Sequence, residues 1–132
     1  MSKTFSYVSL FSGGGVGNFA FKELGYRCFL TSELIERRLN VQKANNICEK
    51  QSDYITGDIK DPNIKQIIEK SLKNKKIDLI VATPPCQGMS VANHKKNDKD
   101  KLRNSLILES INIVKKFKPK IFVFENVRSF LK

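Results

Sequence analysis

Two residues that follow apolar segments could do covalent chemistry on a substrate. Cys86 stands in the stretch ATPPCQGMS, directly after two prolines and the apolar run IDLIV. The prolines fix backbone angles, which lowers the entropy cost of bringing the thiol to a substrate, as a nucleophile requires. Glu125 ends a second apolar run, KIFVFEN. Each has a structural alternative: Cys86 as an ordinary turn cysteine, and Glu125 as a cap for a helix that begins at Val127.

A glycine-rich segment and two acidic residues could bind a nucleotide-like cofactor. FSGGGVG, residues 11–17, joins an apolar run to a helical pattern, where glycines let the backbone turn tightly and approach a ligand. Glu33 has the spacing from the first glycine at which a carboxylate accepts hydrogen bonds from ribose hydroxyls. Asp58, after Gly57, could accept one from an adenine amine. The glycines alone also fit a simple tight turn, but with both acids they favour an adenosine cofactor.

Alternating strands and helices must position these residues. Short apolar runs predict strands at 7–11, 27–33, 53–58, 77–83 and 120–126, and helical spacing predicts helices at 18–24, 36–47, 62–74 and 104–117. This order predicts an α/β fold, a Rossmann-like doubly wound parallel sheet with helices on both faces. The fourth and fifth strands are then neighbours, so we expect Cys86 and Glu125 to share one cleft.

Two further expectations concern the helices and the long connection. Leu39, Val41 and Ile47 fall at the predicted apolar positions of the second helix. The polar stretch at 88–103 is expected to be a loop. Gly25 is expected to end the first helix, and Pro62 to begin the third.

The last strand, residues 120–126, predicts an incomplete sheet. Its IFVF core is apolar at every position, which is typical of a strand covered on both faces. Nothing after it could pair with its outer edge, since only the six residues VRSFLK follow Asn126. We expect residues 1–132 to form a single domain that is part of a larger catalytic domain, with an edge strand that lacks its neighbour.

Composition narrows the function classes. No apolar run approaches the ~20 residues of a membrane span, and no secretory signal begins the chain, so we expect a soluble cytoplasmic protein. The formal net charge of +11 suits a polyanionic partner such as nucleic acid, although lysine-rich AT-biased coding gives the same charge. Cys28 is expected to be a core hydrophobe and Cys48 to be incidental, with neither a disulfide framework nor a metal site.

The motifs together resemble the DNA (cytosine-5)-methyltransferases. LFSGGGVG is similar to the cofactor loop of that family, GDI to its adenine-side acid, PPCQG to its nucleophile motif and ENV to its catalytic glutamate motif. The resemblance covers essentially all 132 residues, and its most specific part is PPCQ followed by ENV. It implies S-adenosylmethionine as cofactor and double-stranded DNA as partner.

The resemblance also assigns residues to the cofactor. The implied contacts are Phe11, Ser12, Gly13, Gly14, Gly15, Glu33, Leu34, Asp58, Ile59, Pro85 and Leu106. Phe11 would stack on the adenine, Glu33 would hold the ribose and Asp58 would take the adenine amine. The chain departs from the family at Val16, where a second glycine is frequent, and at Ser9, where an acid is common.

By the same resemblance, Cys86 adds to C6 of a cytosine flipped out of the duplex, Glu125 engages N3, and C5 takes the methyl group. The basic stretch His94–Arg103 would close over the DNA. The arginine-rich motif, the target-recognition region and the C-terminal helix of the family are not visible. We therefore expect part of a restriction-modification-type enzyme: a split form completed by a second polypeptide, a truncated product or a piece of a longer chain. The alternatives are an inactive cofactor-binding or interaction module and an RNA cytosine-5 methyltransferase.

Overall fold

The computed structural model describes residues 4–85 and 98–126, with side chains in the second range from residue 105 onward. The strands are β1 (Ser6–Leu10), β2 (Arg27–Glu33), β3 (Tyr54–Thr56), β4 (Leu79–Ala82) and β5 (Ile121–Phe124), and the helices are α1 (Val16–Glu23), α2 (Glu36–Ala44), α3 (Pro62–Leu72) and α4 (Asp98–Phe117). The predicted alternation of strands and helices is confirmed.

The five strands form one parallel sheet in the order β3-β2-β1-β4-β5. The direction of winding reverses between β1 and β4, and doubly wound folds bind ligands at the carboxyl ends of the strands beside this switch point. The predicted Rossmann-like fold is therefore confirmed, together with the pairing of β4 with β5.

Helices cover both faces of the sheet. One face packs against α3 and α4 around Val8, Ile68 and Ile80. The other face packs against α1 and α2 around Tyr7 and Leu39. Alternate residues of β1 thus serve opposite cores, because successive side chains of a strand point to opposite faces.

Two of the predicted helix ends are confirmed in detail. Gly25 follows α1 with a φ of 77°, and its N–H donates to the carbonyl of Lys22 at 2.9 Å. At the start of α3, the Asp61 carboxylate accepts from the backbone N–H of Asn63 at 2.8 Å, and Pro62 is the first residue of the helix. Glycine supplies the left-handed conformation and proline needs no hydrogen bond at its position.

Two helix predictions are wrong. The helix α4 begins at Asp98, so the segment 98–103 is helical rather than loop, while 88–97 lies outside the described residues. In α2 the side chain of Val41 is 51 % exposed, whereas that of Gln42 is fully buried. The inner face of α2 therefore carries the amide of Gln42, whereas the sequence predicted that the neighbouring Val41 would lie there.

The cysteine prediction also needs correction. The structure pairs the sulfur of Cys28 with that of Cys48, and a parallel bridge joins the backbones of the two residues. Both side chains are buried in the core beside Tyr7 and Leu39. Cys28 is a core residue as expected, but the expectations that Cys48 is incidental and that the cysteines form no disulfide are wrong, because Cys28 and Cys48 are paired as a disulfide.

A buried carboxylate ties the amino ends of three strands together. Asp78 accepts hydrogen bonds from the backbone N–H of Ser6 at 2.9 Å and from the Lys120 ammonium group. The hydrogen bond from Lys120, followed by the one from the Ser6 backbone, lowers the pKa of the Asp78 carboxyl from 3.8 to about 2. We call this set of contacts the Asp78 clamp. It joins β1, β4 and β5 at the amino ends of the strands, opposite the carboxyl ends where ligands bind.

The strand β5 is at the edge of the sheet in the described part of the chain. Ile121, Phe122 and Val123 are 60 %, 56 % and 47 % exposed. Since these residues alternate between faces, the strand presents apolar side chains on both sides, as the sequence predicted. None of the helices in the described ranges combines the length and the apolar composition that crossing a bilayer requires.

Candidate active site

A cleft of about 210 Å³ lies at the carboxyl ends of β2 and β3, beside the glycine segment. Its lining residues are Phe11, Ser32, Glu33, Leu34, Gly57, Asp58, Ile59, Lys60 and Leu106. Apolar side chains form much of its walls, and two carboxylates supply hydrogen-bond acceptors. A flat, mostly apolar group with hydroxyl or amine donors matches this lining.

The cleft brings together most of the residues assigned to cofactor contacts. Phe11, Glu33, Leu34, Asp58, Ile59 and Leu106 all line it. Gly14 and Gly15 instead line a second cleft of about 320 Å³ between the glycine segment and α2. Ser12, Gly13 and Pro85 line neither of these two clefts.

Phe11 has an unusual backbone conformation. Its φ is 56°, in the left-handed region that side chains other than glycine rarely adopt. The chain turns here from β1 into the glycine segment, and the Thr83 hydroxyl donates to the carbonyl of Phe11 at 2.8 Å. Thr83 also donates its backbone N–H to Leu10 at 3.2 Å. The end of β4 therefore fixes the turn that carries the aromatic wall of the cleft.

Glu33 is anchored on both carboxylate oxygens. One oxygen accepts from the Gly13 N–H at 2.9 Å, and the other accepts from the Ile35 N–H at 3.2 Å and from Arg38 at 3.3 Å. The side chain is only 6 % exposed. Because each carboxylate oxygen has two lone pairs, acceptor capacity remains for a ligand hydroxyl. Glu33 thus holds the glycine segment as well as lining the cleft.

Asp58 is oriented by the residue two positions further on. Its carboxylate accepts from the Lys60 backbone N–H at 2.9 Å, and the Lys60 ammonium lies 3.8 Å from the other oxygen. Both groups are partly exposed to solvent, so the ion pair itself contributes little. The short turn nevertheless holds the carboxylate at the rim of the cleft.

The glycine segment has the backbone that only glycine adopts easily. Gly13 and Gly15 have φ values of 58° and 83°. A Cβ on Gly15 would lie 2.5 Å from Cγ of Gln42, so the amide side chain packs directly on this glycine. The loop is therefore shaped by α2 as well as by its own sequence.

Glu125 lies at the end of β5, next to the end of β4. Its backbone N–H donates to the carbonyl of Ala82 at 3.1 Å. The fourth strand leads from there through Pro84, which is buried, to Pro85. Cys86 lies outside the described residues, so its expected proximity to Glu125 stays a prediction.

Several residues of the site were not predicted from sequence. Ser32, Gly57 and Lys60 line the cleft, and Arg38 and Gln42 hold its neighbours. Ser32 and Gly57 precede the two acids directly, which was a usable signal. Gln42 lies three residues after Leu39, a spacing that places both on one helix face.

Comparison with known proteins gives a consistent result. A sequence profile for the family described as C-5 cytosine-specific DNA methylase matches residues 5–132. Type II methyltransferase M1.HgaI from Avibacterium volantium is 35 % identical over 100 % of this chain and 37 % of its own length. Type II methyltransferase M.AquIA from Picosynechococcus sp. is 33 % identical over 94 % of the chain and 49 % of its own length.

A solved structure has the same fold. It is described as a candidate DNA modification methyltransferase encoded within an E. coli prophage, and it superposes with a TM-score of 0.71 at 26 % identity. The match covers 98 % of this chain and 34 % of that one. The chain therefore spans between about a third and a half of the length of these relatives.

Proposed function

The chain belongs to the C-5 cytosine-specific DNA methylase family, and we propose that it carries the cofactor-binding and catalytic part of an enzyme that methylates C5 of cytosine in DNA. The observation that supports this most is the cleft at the carboxyl edge, where an aromatic ring and two acids predicted from separate motifs meet. The family implies a methyl donor.

We propose S-adenosylmethionine as that donor. The cleft fits its adenosine part, because Phe11 and Leu106 offer apolar walls to a purine while Glu33 and Asp58 offer acceptors to the ribose hydroxyls and the adenine amine. When bound, the cofactor supplies a methyl group on a positively charged sulfur. Gly13 to Gly15 and Ser12 would lie along its methionine part, and Leu34, Ile59 and Pro85 would complete the contacts.

The proposed chemistry uses two side chains. The Cys86 thiolate adds to C6 of cytosine, and the electrons of the C5–C6 double bond become available at C5. Glu125 hydrogen-bonds or protonates N3 and so draws charge away from the ring. After C5 has accepted the methyl group, C5 loses its proton to a base and the C6–S bond breaks, which releases the thiolate. The pairing of β4 with β5 supports this division of roles, since it brings the segment that leads to Cys86 beside Glu125.

The DNA substrate requires contacts beyond the cofactor cleft. A cytosine must leave the duplex to reach a thiol, and unstacking costs a few kcal/mol that contacts to the DNA must offset. The basic segment His94–Arg103 is the proposed contact on this chain. The exposed apolar strand β5 and the greater length of the relatives support a second polypeptide, or a further part of the same one, that completes the sheet. The proposed compartment is the cytoplasm of a prokaryotic or virus-infected cell.

A methyl-transfer assay tests the proposal. The chain is incubated with labelled S-adenosylmethionine and duplex DNA, alone and together with the product of any adjacent gene. Transfer to DNA in either mixture supports the proposal, and transfer only in the presence of the second protein supports a split enzyme. Transfer to tRNA but not to DNA would indicate an RNA enzyme. Cofactor binding without transfer in every mixture would indicate a binding module.

Two variants separate the proposed roles. Cys86→Ala should abolish transfer and leave cofactor binding intact, because the thiol acts on the base. Asp58→Asn should weaken cofactor binding on the order of tenfold through loss of a charged acceptor. Glu36→Gln, at an exposed carboxylate at the start of α2, is the matched control that should change neither. Turnover by the Cys86 variant would remove that residue from its role.

A further inference from the structure

A fully buried amide lies beneath the glycine segment. Gln42 extends from α2 and is 0 % exposed. Its nitrogen donates to the Ser12 hydroxyl at 2.8 Å and to the Gly13 carbonyl at 2.8 Å. Its oxygen accepts from the Asn18 amide at 2.9 Å and lies 2.9 Å from the Thr31 hydroxyl. Both N–H groups of the amide are therefore used, and its oxygen has the Asn18 amide as donor and shares the single Thr31 hydroxyl proton with Ser12, which lies 2.7 Å from that hydroxyl.

The orientation of this amide is determined by its partners. The Gly13 carbonyl can only accept a hydrogen bond, so the nitrogen of Gln42 must face it. The amide of Asn18 then donates to the oxygen on the other side. Rotating the Gln42 amide by half a turn would place two acceptors against each other, which buried groups do not tolerate.

Gln42 also limits the loop sterically. Its Cγ and Cδ lie 2.5 Å and 2.8 Å from where a Cβ of Gly15 would be. The same side chain therefore touches the loop at both ends, through hydrogen bonds at Ser12 and Gly13 and through packing at Gly15. Between these points the loop has little freedom to change its path.

This arrangement connects to the cleft through Gly13. The Gly13 N–H donates to the Glu33 carboxylate at 2.9 Å while the Gly13 carbonyl accepts from Gln42 at 2.8 Å. The left-handed φ of Gly13, 58°, is thus held from both sides of the residue. Phe11 and Glu33, at the two sides of this contact, both line the cleft.

We propose that Gln42 is a positioning residue, which holds the glycine segment in its ligand-binding conformation before the cofactor arrives. The proposal rests on the cofactor role given to the cleft. Gln42 lies in neither lining set of the two clefts beside the loop, so it acts through Gly13 and Gly15 rather than on the cofactor. A loop that is already ordered loses less conformational freedom on binding, which strengthens affinity.

The test replaces the amide by an apolar group of similar length. Gln42→Met keeps the packing volume and removes all four hydrogen-bonding functions. It should raise the Kd for S-adenosylmethionine roughly tenfold, equal to about 1.4 kcal/mol, with little change in kcat at saturating cofactor. In the full chain without ligand, amide hydrogen exchange at Gly13 and Gly15 should become faster, because these N–H groups are held only while the loop keeps its path.

Two other variants keep the result interpretable. Leu39→Ala, one turn earlier on the same face of α2, lowers stability through a core cavity without touching the loop, so it should leave the Kd and the exchange at Gly13 unchanged. Thr31→Val removes one member of the network with almost no change in shape. It should raise the Kd for S-adenosylmethionine about threefold. This variant provides the test of the positioning role if Gln42→Met fails to fold.

The outcomes separate this proposal from the proposed function. Unchanged exchange at Gly13 and Gly15 in Gln42→Met would overturn the positioning role, whatever the chain binds. Equal loss of affinity in Gln42→Met and Leu39→Ala would also overturn it, since general destabilisation would then explain both. If the unsubstituted chain does not bind S-adenosylmethionine, the proposed function fails first, and faster exchange in Gln42→Met would then show loop positioning for a different ligand.

Discussion

Replacing Phe11 by alanine and by glycine in parallel separates the cost of its backbone from the value of its ring. Both variants lose the aromatic side chain and its partial packing against the core. They differ in how easily they adopt the φ of 56° at this position and in how much conformational freedom they lose on folding. The Thr83 hydroxyl can still donate its hydrogen bond in both variants, since the acceptor is the backbone carbonyl of residue 11.

The difference in stability follows from two opposing terms. The left-handed conformation costs a residue with a Cβ about 1–2 kcal/mol, and glycine avoids this cost. Glycine loses more conformational freedom on folding, worth roughly 0.5–1 kcal/mol against alanine. The difference of these terms is roughly 0–1.5 kcal/mol, so the glycine variant should be more stable than the alanine variant by about 0.75 kcal/mol. For a domain of this size that corresponds to roughly 2–4 °C in Tm.

Affinity should follow a different order. Stacking of a base on an aromatic side chain is worth about 1–3 kcal/mol, so both variants should raise the Kd for the cofactor roughly 5- to 150-fold. Glycine also frees the turn, so its variant should bind no more tightly than the alanine variant. We expect the more stable of the two variants to be equal or weaker in binding.

Thermal unfolding and calorimetric titration of the three proteins provide the measurements. An alanine variant more stable than the glycine variant would refute the inference that the structure imposes a strained backbone at Phe11. Unchanged affinity in both variants, with stability lowered as expected, would remove the ring from the cofactor site.

Three further predictions concern other parts of the chain. Asp78→Asn should lower stability in urea at pH 7, and its difference from the parent should shrink as pH falls from about 4 towards 2, since the native carboxyl titrates there and its stabilising charge is lost; a difference independent of pH would contradict the clamp. Gly57→Ala should cost about 1 kcal/mol or more, because φ is 146° and the new Cβ would lie 2.6 Å from Cδ1 of Ile64, whereas Gly14→Ala meets nothing within 4 Å and should be nearly neutral by the same unfolding measurement. Val123→Lys should reduce association of the isolated chain in sedimentation experiments without lowering its Tm. A parent chain that stays monomeric at high concentration would argue against self-association through the exposed edge strand β5.

The alternation of strands and helices was predictable because each element has a strong pattern. The strand at 27–33 was predicted with the bounds that the structure gives it. The helices predicted to begin at 36 and 62 begin there, and the helix predicted to end at 117 ends there. Most of the other ends differ by a few residues, since the last turn of a helix and the last pair of a strand depend on tertiary contacts. The parallel order then followed from the alternation and from right-handed crossovers.

The errors have identifiable physical causes. The first turns of α4 contain Asp98, Lys99 and Arg103, and this charged start resembles a solvated loop because the apolar spacing of the helix begins only after it. In α2 the sequence ERRLNVQKA is polar almost all round, so periodicity gave no clear inner face. The contact of Cys28 with Cys48 depends on β2 lying beside the segment before β3, which spacing in sequence does not contain.

The site also has features that the sequence predicted and features that it did not. Glu33 and Asp58 follow strands whose carboxyl ends meet at one edge, so topology alone predicted their proximity. The partition of the loop was not predictable, since Gly14 and Gly15 contribute to a separate cleft. Which face of a glycine loop meets the ligand depends on what packs beneath it, and here that residue is the buried Gln42.

The chain's own side chains and backbone make the contacts that shape the cleft, and this has an energetic consequence. Phe11 carries a strained backbone, and Gln42 and Glu33 bury polar groups that add no apolar contact to the core. These costs are offset by the two hydrophobic cores on the faces of the sheet, so they belong to folding rather than to binding. A ligand then meets acceptors whose directions are already fixed, and its binding energy is not used to order them. Substitutions that relax this loop should therefore weaken binding even where the fold stays intact.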